Sequence, residues 1–106
     1  MKFEEILDIT RKTAAKADVS GVGFIAVQVN FTGEEGGVLY VEVKDGKVSV
    51  EPYEYNDRSC AITISMEDFN KLIAGKLDPV LAFTTGKLKV DGDIGKALEF
   101  SKLLKK

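Results

Sequence analysis

An aspartate–glycine pair in the first half of the chain constrains the fold more than any other feature. Asp45 and Gly46 lie between VEVK and KVSV, two segments in which apolar and polar residues alternate. Asp-Gly is a preferred two-residue β-hairpin turn because both positions accept positive φ. The alternation places the apolar side chains of both flanking segments on one face. The sequence therefore predicts an antiparallel hairpin with one apolar face.

The same alternation extends the first hairpin strand back to residue 38 and predicts two more strands, over residues 23–31 and 60–65. Ahead of them, apolar residues at helical spacing predict a helix over residues 3–17. The first half should therefore begin with a helix and continue as an antiparallel meander plus one further strand. One face of these strands should be apolar.

Capping residues predict three helices in the second half of the chain. Ser65 and Asp78 are of the type that begins helices, and Gly75 and Gly86 are of the type that ends them. Asp93 is the expected cap of a final helix. Between the last two helices, KLKV at residues 87–90 alternates and predicts a fifth strand with its lysines towards solvent.

The glycine-rich stretch over residues 78–98 only partly resembles a phosphate-binding or calcium-binding loop. Gly86 and Lys87 lack both the first glycine and the hydroxyl residue of a P-loop. Asp91 and Asp93 resemble the first ligands of a calcium loop, but no bidentate glutamate follows at the required distance. The stretch is therefore predicted to hold caps and turns, with no metal and no nucleotide.

Composition excludes several kinds of function. The 106 residues contain no histidine and one cysteine, Cys60, which removes the commonest general base and any zinc cluster of cysteine and histidine. The net charge of −2 does not favour nucleic-acid binding. A lone cysteine and the absence of a secretory signal predict a cytoplasmic protein. Lys87 and Lys89 predict at most transient membrane contact.

The final helix has an unusually wide apolar stripe. Ile94, Ala97, Leu98 and Leu104 share one predicted face, and Phe100 and Leu103 widen it. Either another helix, such as that over residues 3–17, or an apolar ligand must cover a stripe of this width.

Three longer patterns resemble the sterol carrier protein family, the nonspecific lipid-transfer domain. They are C-x-I-T-x-S-x-E-D within Cys60 to Gly75, L-I-x-G-K-L-D-P ending in Lys76 to Pro79, and A-F-x-x-G-K-L-K-V-x-G-D within Ala82 to Ala97. The resemblance extends to the strands, the hairpin and the leading helix, and so covers nearly the whole chain.

The resemblance implies an α+β fold, with a single five-stranded mixed sheet, helices over one face and an apolar tunnel between them. It implies a ligand such as a sterol, fatty acid, acyl-CoA or phospholipid, with no metal, covalent chemistry or nucleotide. The 106 residues are expected to form one lipid-binding domain, a monomer or weak dimer. The family match and the alternating faces together predict these wall residues: Ile25, Val27, Leu39, Val41, Ile62, Ile64, Phe69, Leu72, Ile73, Leu81, Phe83, Leu88, Ile94, Leu98 and Phe100.

Three alternatives remain open from the sequence. The predicted wall residues could be ordinary core, which is the simpler interpretation for those on the sheet. The apolar stripe could close a protein–protein or dimer interface with no ligand. An enzyme could use Tyr53, Tyr55 and Asp57, although a solvated loop over residues 52–59 explains these side chains more simply.

Overall fold

The predicted hairpin is present in the computed structural model, which describes residues 1–104. Strands β2 (Val38–Lys44) and β3 (Lys47–Glu51) pair in antiparallel register. Asp45 and Gly46 form the turn between them, with φ angles of 53° and 75°. Both turn residues therefore adopt the left-handed conformation that a two-residue hairpin of this kind requires.

Replacing Gly46 by valine should lower the free energy of unfolding by about 1–3 kcal/mol, because a β-branched side chain is strained at positive φ. Urea denaturation followed by circular dichroism measures the change. Asp45→Asn is the control, since asparagine tolerates the left-handed region and should leave the midpoint nearly unchanged. A Gly46→Val protein with the wild-type midpoint would contradict this account of the turn.

Strand β1 (Ile25–Phe31) lies at the centre of the sheet. It pairs antiparallel with β2 and parallel with β4 (Cys60–Ile64). Strand β5 (Lys89–Gly92) pairs antiparallel with β4 and completes the order β3-β2-β1-β4-β5. The predicted α+β fold with a single five-stranded mixed sheet is therefore confirmed.

Four helices accompany the sheet: α1 (Phe3–Ala15), α2 (Met66–Ile73), α3 (Pro79–Thr84) and α4 (Ile94–Leu104). All four contribute buried side chains to the same apolar cluster as one face of the sheet. Lys105 and Lys106 lie outside the described residues.

The predicted helix caps are in place. The Ser65 hydroxyl accepts a hydrogen bond from the Asp68 amide at 3.1 Å, so α2 begins where the sequence indicates. The Asp93 carboxylate accepts one from the Lys96 amide at 3.1 Å at the start of α4. Gly75 follows α2 with a φ of 78°, a conformation that suits glycine at a helix end.

Strand β5 occupies residues 89–92 instead of the predicted 87–90. The Leu88 amide donates to the Ala82 carbonyl at 3.0 Å, which holds Leu88 in the connection from α3. The pairing of β5 with β4 then extends beyond residue 90, with Asp91 opposite Ala61.

The buried face of α4 also differs from the predicted one. Ala97, Phe100, Ser101 and Leu104 are buried, whereas Ile94 is exposed. Ile94 is the first residue of the helix and is 47% exposed. The buried face of α4 is therefore rotated relative to the predicted one, because sequence periodicity does not reveal where the neighbouring elements end.

Candidate lipid-binding site

A cavity with apolar walls lies where α3, β5 and α4 meet. Its volume is about 70 Å³, and all of its lining residues are apolar. The interior therefore offers no side-chain hydrogen-bond partner to a polar group of a ligand. The lining residues are Val80, Phe83, Leu88, Val90, Ile94, Ala97 and Leu98.

Helix α3 forms one wall of this cavity and is only lightly attached to the rest of the protein. The Asp78 carboxylate caps it by accepting hydrogen bonds from the Val80 and Leu81 amides at 2.8 and 3.1 Å. Ala82 is the only buried residue of α3. Val80 and Phe83, three positions apart, face the cavity on the same side of the helix.

The opposite walls come from β5 and α4. Val90 pairs with Ile62 across the sheet, so its side chain points to the same face as the core. On α4, Ile94, Ala97 and Leu98 are three and four positions apart and form one wall.

The core beside the cavity is built around stacked aromatic rings. Phe69 of α2 and Phe100 of α4 are both fully buried, with ring centroids 6.5 Å apart and nearly parallel planes. The helix that covers the wide stripe of α4 at this point is therefore α2.

A family model, the SCP-2 sterol transfer family, matches residues 3–105. The chain belongs to this family. Its curated relatives include hydroxysteroid dehydrogenase-like protein 2 of Rattus norvegicus, which is 37% identical over 78 residues. That match covers 73% of this chain but only 15% of the relative.

Solved structures of the family share the fold. Apo sterol carrier protein 2 from Yarrowia lipolytica is 23% identical, with a TM-score of 0.74 over 93% of this chain and 86% of that one. Palmitated SCP2L2 from Aedes aegypti is 21% identical, with a TM-score of 0.72 over 98% of this chain and 95% of that one. At these identities the likeness establishes the fold.

The predicted wall residues fall into three groups. Phe83, Leu88, Ile94 and Leu98 line the cavity. Leu81 is exposed and is not among the lining residues. The others are buried in the main core: Ile25, Val27, Leu39, Val41, Ile62, Ile64, Phe69, Leu72, Ile73 and Phe100.

Three lining residues were absent from the predicted set, namely Val80, Val90 and Ala97. Each had a sequence signal. Val80 precedes Phe83 by three positions, Val90 follows the alternation of Leu88, and Ala97 lies on the apolar stripe of the last helix. What the sequence did not show is that α3, β5 and α4 meet.

The loop that carries the candidate catalytic tyrosines covers the other face of the sheet. The Tyr55 hydroxyl donates to the Glu42 carboxylate at 2.6 Å, and the Tyr55 amide donates to the Gln28 side chain at 3.0 Å. The hydrogen bond to Glu42 raises the pKa of Tyr55 to about 12. Tyr53 and Asp57 are exposed. Tyr55 therefore fixes the loop against the sheet, on the face away from the cavity.

Cys60 is buried and is the first residue of β4. Burial, followed by the nearby Asp93 carboxylate, raises the pKa of its thiol to about 11. A thiol with so high a pKa is almost fully protonated at neutral pH and is a weak nucleophile.

Neither a metal cluster nor a membrane span is found in the described part of the chain. Residues 1–104 contain no group of three or more acidic or cysteine side chains placed to hold a metal ion. None of their helices has the length and hydropathy needed to cross a bilayer.

Proposed function

We propose that this protein binds a long acyl chain between α3, β5 and α4 and exchanges it with lipid assemblies. The single observation that carries the proposal is the cavity with wholly apolar walls at this junction. The SCP-2 family match and the palmitated structural neighbour support it.

The ligand class follows from the chemistry of the walls. A sterol presents a wide, rigid ring system that needs a large preformed space, whereas this cavity has a volume of about 70 Å³. A fatty acid or acyl ester can insert its hydrocarbon tail and leave its polar end in water. Each methylene buried in this way contributes about 0.8 kcal/mol, so an acyl chain can bind with little headgroup selectivity.

The cavity must enlarge to accept a full-length chain. Sites for drug-sized ligands occupy roughly 300–1,000 Å³, whereas this cavity has a volume of about 70 Å³. Helix α3 is the wall best suited to move, because Ala82 is its only buried residue and glycines with positive φ flank it at Gly75 and Gly86. Binding is therefore proposed to displace α3 from α4.

Replacing Val90 by phenylalanine should lower acyl affinity by about tenfold or more, which corresponds to about 1.4 kcal/mol. The larger side chain extends from β5 into the cavity that the ligand needs. Titration with a fluorescent fatty acid below its micellar concentration measures the affinity.

Val48→Phe is the matched control for this variant. Val48 lies on the other edge strand, is half-buried and packs against the same core, but it does not line the cavity. Its fatty-acid affinity should stay near that of the wild type. Equal losses in the two variants, or no saturable binding by the wild type, would refute the proposed site.

Several finer expectations remain proposals. The 106 residues are proposed to act as one lipid-binding unit without catalysis, with Tyr55 in a structural role. A cytoplasmic location stays a prediction. The alternative of a ligand-free dimerisation module also stays a prediction. Native mass spectrometry would support that alternative if it showed a stable dimer without bound lipid.

A further inference from the structure

The cavity between α3, β5 and α4 opens to solvent on the side where both helices begin. Of its lining residues, Leu88 and Ala97 are buried, whereas Val80 and Ile94 are 56% and 47% exposed. Val80 is the second residue of α3, and Ile94 is the first residue of α4. The first turns of the two helices therefore flank the opening at which the polar end of a bound acyl ligand would meet water.

Both first turns already hold a carboxylate of the protein itself. The first amides of a helix have no intrahelical partner and attract anions. Here the Asp78 carboxylate accepts hydrogen bonds from the Val80 and Leu81 amides at 2.8 and 3.1 Å, and the Asp93 carboxylate accepts one from the Lys96 amide at 3.1 Å. These two side chains thus occupy positions that a ligand carboxylate would otherwise take.

No ion pair neutralises the two capping carboxylates. Within residues 1–104, neither Asp78 nor Asp93 is part of a salt bridge. Lys96, in the first turn of α4, is paired with Glu99 at 3.6 Å. Lys76 precedes Asp78 by two positions but does not pair with it. The opening is therefore flanked by two carboxylates without a salt-bridged cation.

The lysines around β5 lie on the other face of the sheet. Lys89 is opposite Thr63 in the pairing of β5 with β4, and both line a polar groove together with Lys87. Asp91 is two positions from Lys89 on the same strand and so shares its face, whereas Val90 lines the cavity. The charges of β5 are thus directed away from the cavity.

We infer that Asp78 and Asp93 select acyl ligands by the charge of their exposed end. A ligand with an uncharged end, such as an ester, binds severalfold better than the ionised free acid. The inference rests on the proposed function, because it concerns the part of the acyl ligand that stays outside the cavity. Burial of the tail supplies most of the binding energy for both ligands. The ionised end, however, is repelled by two like charges and finds the first helix amides already occupied.

A matched pair of ligands tests this charge preference. The same fluorescent acyl chain is titrated as the free acid and as its methyl ester, at about pH 8, where the acid is ionised. Both titrations stay below the micellar concentration. The ester should bind severalfold more tightly at low salt, and added salt should narrow the difference because it screens the carboxylates.

The decisive variants are Asp78→Asn, Asp93→Asn and the double substitution. Asparagine caps a helix about as well as aspartate, so both helices should keep their first turns while the opening loses negative charge. In the double variant the affinity for the acid should rise severalfold relative to that for the ester. Asp45→Asn is the matched control, because it removes one negative charge at the hairpin turn, on the other side of the sheet. Its two affinities should stay near those of the wild type.

The possible outcomes separate this inference from the proposed function. If the double variant kept the wild-type ratio of ester to acid affinity, the inference would be overturned while the acyl site would stand. If Asp45→Asn changed that ratio as much as the cap variants do, net charge alone would explain the preference and the inference would also fail. If the wild type bound neither ligand saturably, the proposed function would fail and this inference with it.

Discussion

Replacing Phe69 by alanine is expected to lower the free energy of unfolding by about 3–5 kcal/mol, the usual cost of emptying a packed phenylalanine site. Phe69 is fully buried. Its ring lies 5.4 Å from that of Phe31 and 6.5 Å from that of Phe100, so one substitution removes contacts to the sheet and to α4 together. Urea denaturation of the ligand-free protein measures the loss.

Replacing Phe83 by alanine should instead cost little stability and weaken ligand binding. Phe83 is 40% exposed and lines the cavity, so its truncation removes few packing contacts and should cost less than about 1 kcal/mol. Fatty-acid binding should nevertheless weaken severalfold. If Phe83→Ala destabilised the protein as strongly as Phe69→Ala, α3 would be part of the rigid core and not the movable wall proposed above.

Replacing Gly92 by alanine is expected to cost about 3–5 kcal/mol, because backbone strain and a steric clash act together. Gly92 has a φ of 103°, a conformation that alanine rarely adopts. An added Cβ would lie 3.0 Å from both the Cys60 Cα and the Ser59 carbonyl oxygen. These are backbone atoms, so relief requires β5 to move away from β4. Thermal denaturation should show a correspondingly large fall in melting temperature.

Gly46→Ala is the control for this second substitution. Gly46 also has positive φ, but an added Cβ there would meet nothing within 4 Å. Its cost should be about 1–2 kcal/mol, the price of the left-handed conformation alone. If the two alanine variants were equally stable, the close approach of β5 to β4 at Gly92 would not be as described.

Local features of the fold could be predicted because they depend on residues close together in sequence. The Asp45-Gly46 turn needs two residues that accept positive φ, and the caps at Ser65 and Asp93 need short polar side chains beside free amides. Each of these requirements is met within three or four residues, so the turn and the caps can be predicted from the local sequence alone.

Features that depend on distant elements could not be derived in this way. The resemblance implied a mixed sheet, but the parallel pairing of β1 with β4 was not predicted, because alternation does not tell which strands become neighbours. Leu81 was predicted to be a wall residue, yet it is exposed and does not line the cavity, whereas Ile94 lines the cavity but stays partly exposed. Their exposure depends on where β5 ends and how α3 is turned, which no local pattern encodes.

The parallel pairing of β1 with β4 has a consequence for cooperativity. Along the sheet, this one row of hydrogen bonds joins the meander of β1, β2 and β3 to the later β4–β5 pair. Each of these two parts is continuous in sequence, and each can form its internal pairing without the other. Helix α1 packs against both β3 and α2 and bridges them.

Opening of that row, together with the packing of α2 on α1 and of α4 on β1, would therefore release the segment from β4 to α4 as a single foldon, while the hairpin strands keep their own partners. The proposed ligand cavity belongs entirely to this releasable part, since its lining runs from Val80 to Leu98. A bound acyl chain would thus protect the second half of the molecule from partial unfolding far more than it protects the first.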